Sequence, residues 1–597
     1  MSSPTGPGTP DTPTDVRRYR KRAIALVLTL VGLALLASAA ALAALVYLPG
    51  RPISVPRDSV LVIDLDGTVA EVSPASFLAL VRRQPTVRQI VEALRHAQQD
   101  KRVKALVLRP RLDGLDWAKL QELRDAVLEF RKTGKPTVAF LELGGQEDYY
   151  LGTACDKVFL VPSASLELTG VATYELFLRG TLDKIGTFPD FLHVGDYKTA
   201  VNQMTEHTFT PAHREMSESL NHDAFEQLVA AVSEARKKTP EEAAELVGDG
   251  PYLAYDANDA GLVDDVVYED EVESRAGLDD KLEDITLADY LRASFPTTPP
   301  SSRSRIALIY AVGEIATGES SEGESPSVGS DTLVETIRRA REDDTVKAIV
   351  LRVDSPGGST VASDVIWHEL MLARDAKPLI VSMSGLAASG GYYISTPAHA
   401  IVAQPGTLTG SIGIFTGKYV VRGSLEKLGV NVETVTSGPF ADYGSMFRPF
   451  TDEERERVTD DIQNFYEGFL ERVAESRHST PDKIHEIAQG RVWTGRQAKE
   501  IGLVDELGGL GVAVRLAKEH AKLPASANVP VVTFQPARSW SEYFSSPLPS
   551  FRAELRAAVL SFALGPDERQ LLARVTAPVR HFRAHEPLAL MPYIVTR

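Results

Sequence analysis

The stretch Val103-Lys104-Ala105-Leu106-Val107-Leu108-Arg109 returns almost unchanged as Val346-Lys347-Ala348-Ile349-Val350-Leu351-Arg352, 243 residues further on. Two more matches keep the same order. Leu178-Arg179-Gly180-Thr181-Leu182-Asp183-Lys184-Ile185-Gly186 pairs with Val421-Arg422-Gly423-Ser424-Leu425-Glu426-Lys427-Leu428-Gly429, again 243 apart, and Gly261-Leu262-Val263-Asp264 pairs with Gly502-Leu503-Val504-Asp505 at 241. One short match arises by chance; three in order mark a duplication. In each copy an apolar opening run (Val60–Ile63, Ile306–Tyr310) precedes an amphipathic helical pattern (Val87–Gln98, Asp331–Arg341) and then the repeated strand. A further strand follows Lys135-Pro136 in one copy and Lys377-Pro378 in the other. Strands alternating with helices predict parallel strands joined by right-handed crossovers, so each half is expected to be an α/β domain.

The expected repeats run over 51–293 and 305–525, joined by a Pro/Thr/Ser-rich linker at 294–304. Ahead of them, residues 1–22 are polar and disorder-prone and end in the basic cluster Arg17, Arg18, Arg20, Lys21 and Arg22. An uncharged apolar run follows from Ala23 to Leu48. It exceeds the ~20 residues that span a bilayer, and the ~7–15 of a secretory signal core. A retained transmembrane anchor is therefore expected over a cleaved signal, although Ala37-Ser38-Ala39 would suit cleavage. The preceding positive charge puts the N-terminus in the cytoplasm and the body outside, which in a Gram-negative cell is the periplasmic face of the inner membrane. Residues 526–597 lie outside the repeat; their apolar end, Pro587–Val595, suits oligomer packing, the membrane surface, or docking near a site. The acidic segment Gly318–Ser330 reads as a tolerated insertion or a lid.

Net charge is −17, with 64 Lys plus Arg against 81 Asp plus Glu, which argues against a nucleic-acid partner. Cys155 is the only cysteine, so no internal disulfide and no Cys-based metal cage can form. No metal or cofactor is expected.

The chemistry concentrates in the second half. Asp354-Ser355-Pro356-Gly357-Gly358-Ser359 follows a predicted strand, and the strand Leu379–Met383 runs on into Ser384-Gly385-Leu386-Ala387-Ala388-Ser389-Gly390-Gly391-Tyr392-Tyr393. Strand, small-residue turn and helix form the setting that exposes a nucleophilic serine. The N–H groups of Gly358 and Gly390 are natural donors to a developing oxyanion, since glycine lets a substrate approach the backbone. Read alone, either segment is also an ordinary glycine turn.

These segments, with Leu408-Thr409-Gly410-Ser411-Ile412-Gly413, resemble the signatures of the signal peptide peptidase A family in its long, duplicated form. That resemblance implies two tandem domains of the Clp protease/crotonase superfamily fold, a serine endopeptidase activity on cleaved signal peptides and other hydrophobic membrane-derived peptides, and a homo-oligomer. It implies Ser389 as nucleophile, with Gly358 and Gly390 as oxyanion hole. The general-base lysine of the long form lies in a Gly-x-Tyr-Lys-Ser/Thr-Ala context, which maps onto Gly195-Asp196-Tyr197-Lys198-Thr199-Ala200 and so onto Lys198. Ser411 matches the serine that orients the lysine amine. Without the resemblance Lys198 would read as a solvated surface charge, Ser411 as loop packing, and His193 or His399 would compete as base.

The duplication adds its own argument. Asp196-Tyr197-Lys198-Thr199 corresponds to Asp442-Tyr443-Gly444-Ser445, and Ser389 corresponds to Gln146. Each half keeps what the other lacks, which predicts one composite site per pair of halves. An inactive scaffold and a crotonase-type acyl-CoA enzyme are the alternatives; the serine, the lysine and the apolar N-terminal run count against both.

Overall fold

The computed structural model describes residues 54–72, 85–294 except 113, 304–535 except 322–325 and 525–528, and 587–596 except 593 and 594, with short pieces between 29 and 38. Residues 1–22 and most of the apolar run 23–48, of the linker 294–304 and of the extension 526–597 lie outside the described residues. Among the described residues no helix is long and apolar enough to cross a membrane.

In the first half, Val103–Leu112 is flanked by Ser59–Gly67 and Thr137–Leu141 at the centre of a six-stranded parallel sheet. Glu283–Thr286 closes one edge; Lys157–Leu160 and then Asp265–Val266 complete the other. Ala105, Leu106, Val107 and Leu108 are all buried, as a sheet covered on both faces requires. The helix Val87–Gln99 begins with a capping box between Thr86 and Gln89 and buries Val87, Ile90, Ala93, Leu94 and Ala97, a stripe at helical spacing.

The second half repeats this down to the register. Arg305–Val312 lies parallel to Val346–Ser355 with a shift after its first residue, and Ser59–Gly67 shows the same shift against Val103–Leu112. The sheet continues through Leu379–Ala388 and Leu408–Gly410 to an antiparallel edge at Val492–Thr494. Its opposite edge runs past the expected boundary at 525. Val531–Thr533 pairs with Ile306–Leu308 as Glu283–Thr286 pairs with Ser59–Val62, so the repeat reaches further than the sequence suggested.

Strand pairing and buried ion pairs both join the halves. Phe188–Val194 of the first runs antiparallel to Ile414–Val420 of the second along seven residue pairs. Beside the sheets, the fully buried Arg352 meets two first-half carboxylates: Nε is 2.8 Å from Glu71 Oε1 and Nη2 is 2.6 Å from Glu122 Oε2. Lys119, also from the first half, lies 2.8 Å from Asp354. The counterpart of Arg352 in the first copy, Arg109, instead reaches Glu269 at the surface, so the ionic lock arose in one copy only.

Candidate active site

Ser389 ends the strand Leu379–Ala388 and precedes the helix Gly390–Tyr393. Its backbone sits at φ 55° and ψ −113°, a strained conformation for a residue with a Cβ. Two hydrogen bonds of 2.8 Å hold it: its N–H donates to the Gly410 carbonyl, and its own carbonyl accepts from the Tyr393 N–H. The first copy lacks this device. Gln146 occupies the equivalent place, and its side chain accepts from the Gly170 N–H at 3.1 Å.

Lys198 arrives from the other half, just after the strand Phe188–Val194. The turn before it is laid against Gln489-Gly490 of the second half, where Tyr197 N–H donates to the Gln489 carbonyl at 2.9 Å. Backbones approach here as only glycine allows. A Cβ on Gly490 would lie 2.5 Å from the N and Cα of Lys198, and one on Gly195 would lie 2.4 Å from the carbonyl of Gln489. Both glycines also have positive φ, 85° and 93°.

The lysine side chain is 0% exposed, as is Ser389. Its Nζ lies 2.8 Å from Ser389 Oγ and 3.1 Å from both the carbonyl oxygen and the hydroxyl of Ser411. None of these partners is a carboxylate, so burial alone acts on the amine and pushes its pKa well below the ordinary lysine range. A hydroxyl in hydrogen-bond contact with an amine whose charged form is disfavoured by burial has the geometry that proton transfer from oxygen to nitrogen requires.

Gly358 lies in the short strand Gly357–Ser359, and Gly390 directly follows Ser389. A Cβ on Gly390 would lie 3.2 Å from the Gly358 nitrogen, so the two bare backbones are neighbours. The histidines stand elsewhere. His193 is exposed, with Nδ1 3.0 Å from the Gly195 carbonyl. His399 accepts from the Leu379 N–H at 3.1 Å, at the far end of the ten-residue strand that leads to Ser389; at ~3.3 Å of rise per residue that is roughly 30 Å away. Among the described residues, no group of three or more His, Cys, Asp or Glu is placed to hold a metal ion.

The space-leaving roles of two glycines at this site escaped the sequence reading. Gly490 and Gly413 act by leaving space: a Cβ on Gly413 would lie 2.8 Å from Gly490 Cα and 3.2 Å from Lys198 Cδ. Their only signal is that each stands among larger residues near the end of a predicted element. Beside them lies the C-terminal segment Leu588–Leu590, a strand paired to Gly357–Ser359, in one of the three roles its sequence suited. Gly490→Ala should displace the lysine by about an ångström and lower kcat by roughly 10²-fold, with KM moved less; steady-state kinetics beside a circular dichroism spectrum checks this.

A duplicated α/β body with this serine places the chain among the serine proteases, and comparison with known proteins agrees. The pattern of Peptidase family S49 matches residues 129–283 and 372–524. "Serine protease SPPA, chloroplastic" of Arabidopsis thaliana is 35% identical over 489 residues, covering 80% of this chain and 71% of that protein. "Protease 4" of Salmonella typhi is 40% identical over 451 residues, 73% of this chain and 72% of its own. "Putative signal peptide peptidase SppA" of Enterococcus faecium is 34% identical over 225 residues, 37% of this chain and 65% of its own. The chain belongs to peptidase family S49, in its long, duplicated form.

Proposed function

We propose that the protein is a membrane-bound serine endopeptidase working through a Ser389/Lys198 dyad on hydrophobic peptides such as cleaved signal peptides. The observation that carries this is the 2.8 Å approach of Lys198 Nζ to Ser389 Oγ in full burial. A neutral amine has two N–H donors and one lone pair. The two donors match the Ser411 carbonyl and hydroxyl, which leaves the lone pair facing the Ser389 hydroxyl. Lys198 then takes the Ser389 proton as Oγ attacks a peptide carbonyl, and the N–H groups of Gly358 and Gly390 receive the oxyanion. As the C–N bond breaks, the lysine returns the proton to the leaving amine. A water, deprotonated by the same lysine, releases the acyl group.

The buried, uncharged surroundings support a preference for small or apolar residues beside the scissile bond. The name of the Enterococcus relative points the same way. The run Ala23–Leu48 would hold the enzyme at the membrane, with Arg17–Arg22 cytoplasmic and the body outside. A peptide-library profile tests the substrate class: small or apolar residues should dominate next to the cut, and charged residues there would contradict it. A second test concerns assembly. Because serine and lysine meet within one chain, mixing Ser389→Ala chains with Lys198→Met chains should leave the mixture inactive. Recovered activity would mean that the working dyad spans two chains.

A further inference from the structure

The third sheet of the molecule has a strand that belongs to neither repeat. Its order is Ser327–Gly329, Glu314–Ala316, Gly357–Ser359, Leu588–Leu590, Ile414–Val420, Phe188–Val194. The C-terminal strand Leu588–Leu590 therefore fills a slot one strand wide, with the proposed oxyanion glycine on one side and the strand that joins the halves on the other. It runs antiparallel to both neighbours, with Gly358 opposite Ala589 and Phe415 opposite Leu588.

The register locates one carbonyl in particular. Met591 N–H donates to the Pro356 carbonyl at 3.0 Å, and Thr360 N–H donates to the Pro587 carbonyl at 3.3 Å. In an antiparallel ladder, opposed residues alternate between hydrogen-bonded and non-bonded pairs. Gly358 and Ala589 lie midway between two bonded pairs, two residues from each, so they form a bonded pair themselves. The Ala589 carbonyl thus faces the Gly358 N–H. It lies at the same glycine cluster: a Cβ on Gly357 would lie 2.0 Å from that oxygen and 2.7 Å from the Gly390 nitrogen.

Side chains complete the fit. Leu588 and Leu590 are buried with Ala200, Val201 and Phe415, two to three residues beyond Lys198. Met591 belongs to one buried cluster with Ala388, the residue before Ser389. Ala589 lines a cavity of about 210 Å³ with Thr360, Ser363, Tyr393, Ile414 and Phe465. With the strand seated, Ser389 and Lys198 have no exposed surface.

We propose that Pro587–Met591 is an internal competitive inhibitor, bound in the slot as an extended substrate peptide would be, with the Ala589 carbonyl at the two glycine N–H groups. The proposal rests on the peptidase reading for what the slot is used for, but not for the occupancy itself. Peptide and tail compete for the same two strand edges, so substrate enters only when the tail leaves.

The test uses the full-length chain carrying Leu588→Asp and Leu590→Asp, which puts two carboxylates into the apolar seat. A second variant, Ala589→Pro, removes the N–H that pairs with Gly358. For both, kcat/KM on a short peptide should rise at least about 10-fold, because the open state is no longer a minor population. A free peptide covering residues 585–593 should then inhibit competitively, and its Ala589→Pro version should not. In a Ser389→Ala background, the fluorescently labelled peptide should bind the Asp variant at least about 10-fold more tightly than the parent, whose slot is filled. This binding arm needs no turnover, so it reads the occupancy even if the peptidase reading fails. Unchanged kcat/KM in folded variants, or equal binding by parent and Asp variant, would overturn the proposal.

Discussion

Replacing Lys198 with methionine should lower kcat/KM by about 10³-fold, within the range by which a positioned general base accelerates proton transfer, while the chain stays folded. Ser389→Ala should cost more, roughly 10⁴-fold or beyond, since the acyl intermediate forms on the oxygen it removes. The lysine prediction has a signature that a structural role would not produce. Burial lowers the folded-state pKa of Lys198, so the active, neutral amine is lost as pH falls through that value. The acid limb of log kcat/KM should rise with unit slope in the wild type. Stability should move in the same direction as activity, over a higher pH window. An unfolded lysine binds its proton below about pH 10.4, whereas the buried one does not until its lower folded value is reached. Between those two values the unfolded state holds more protons, and the wild-type fold weakens as pH falls. The Tm of Lys198→Met relative to wild type should therefore climb with falling pH across that window and level off below it. Thermal melts at a series of pH values measure this directly.

Arg352→Ala should destabilise the protein by about 3–5 kcal/mol, the loss expected when one partner of a buried ionic cluster is removed and the other charges stay. Glu71 and Glu122 would be left buried opposite an empty space, and the hydroxyls of Ser382 and Ser384 would lose their guanidinium donor. Burial alone would raise the Glu71 carboxyl, but the charge and hydrogen bonds of Arg352 outweigh it and hold the pKa below the usual range. A depressed carboxylate stabilises the fold above its unfolded value, about pH 4.3, and that contribution disappears as pH falls through the folded one. Denaturant titration at neutral pH measures the loss. The same titration on Arg352→Met with Glu71→Gln and Glu122→Gln should recover much of it, since no unpaired charge then remains in the interior. The lock also lies close to the proposed site. Arg352 lies in the strand that leads through Asp354 into Gly357-Gly358, and its carboxylate partners belong to the half that carries Lys198.

Where chemistry has a local pattern, the sequence was readable. The repeated Val-Lys-Ala run, the alternation of strands with amphipathic helices, and the turn around Ser389 are all short-range signals, and the structure places them as strands, helices and a strained turn. Lys198 is a harder case. Its local pattern is that of a surface charge, and the resemblance together with the loss of its counterpart at Gly444 singled it out. Ser389 and Lys198 lie 191 residues apart, and contacts between the halves such as the pairing of Phe188–Val194 with Ile414–Val420 bring them together; no local periodicity encodes that pairing. Gly490 was invisible because its role is to be empty space against a backbone from the other half. The pairing of the tail strand was invisible for a related reason. Leu588-Ala589-Leu590 is too short to show a period, and its partners Gly357–Ser359 lie about 230 residues away. Of the three roles the sequence left open for that tail, docking near the site is the one the structure assigns to Leu588–Leu590.

In the proposed mechanism Ser389 is made nucleophilic by a neutral Lys198 supplied by the other repeat. Covalent labelling by a fluorophosphonate reports on this without a substrate, and mapping the adduct by mass spectrometry identifies the residue. The account predicts a single adduct on Ser389 whose rate of formation falls tenfold per pH unit on the acid side, and a Lys198→Met protein labelled about 10³-fold more slowly at neutral pH. Labelling of Ser389 in Lys198→Met at the wild-type rate, or an adduct on a different serine, would contradict it.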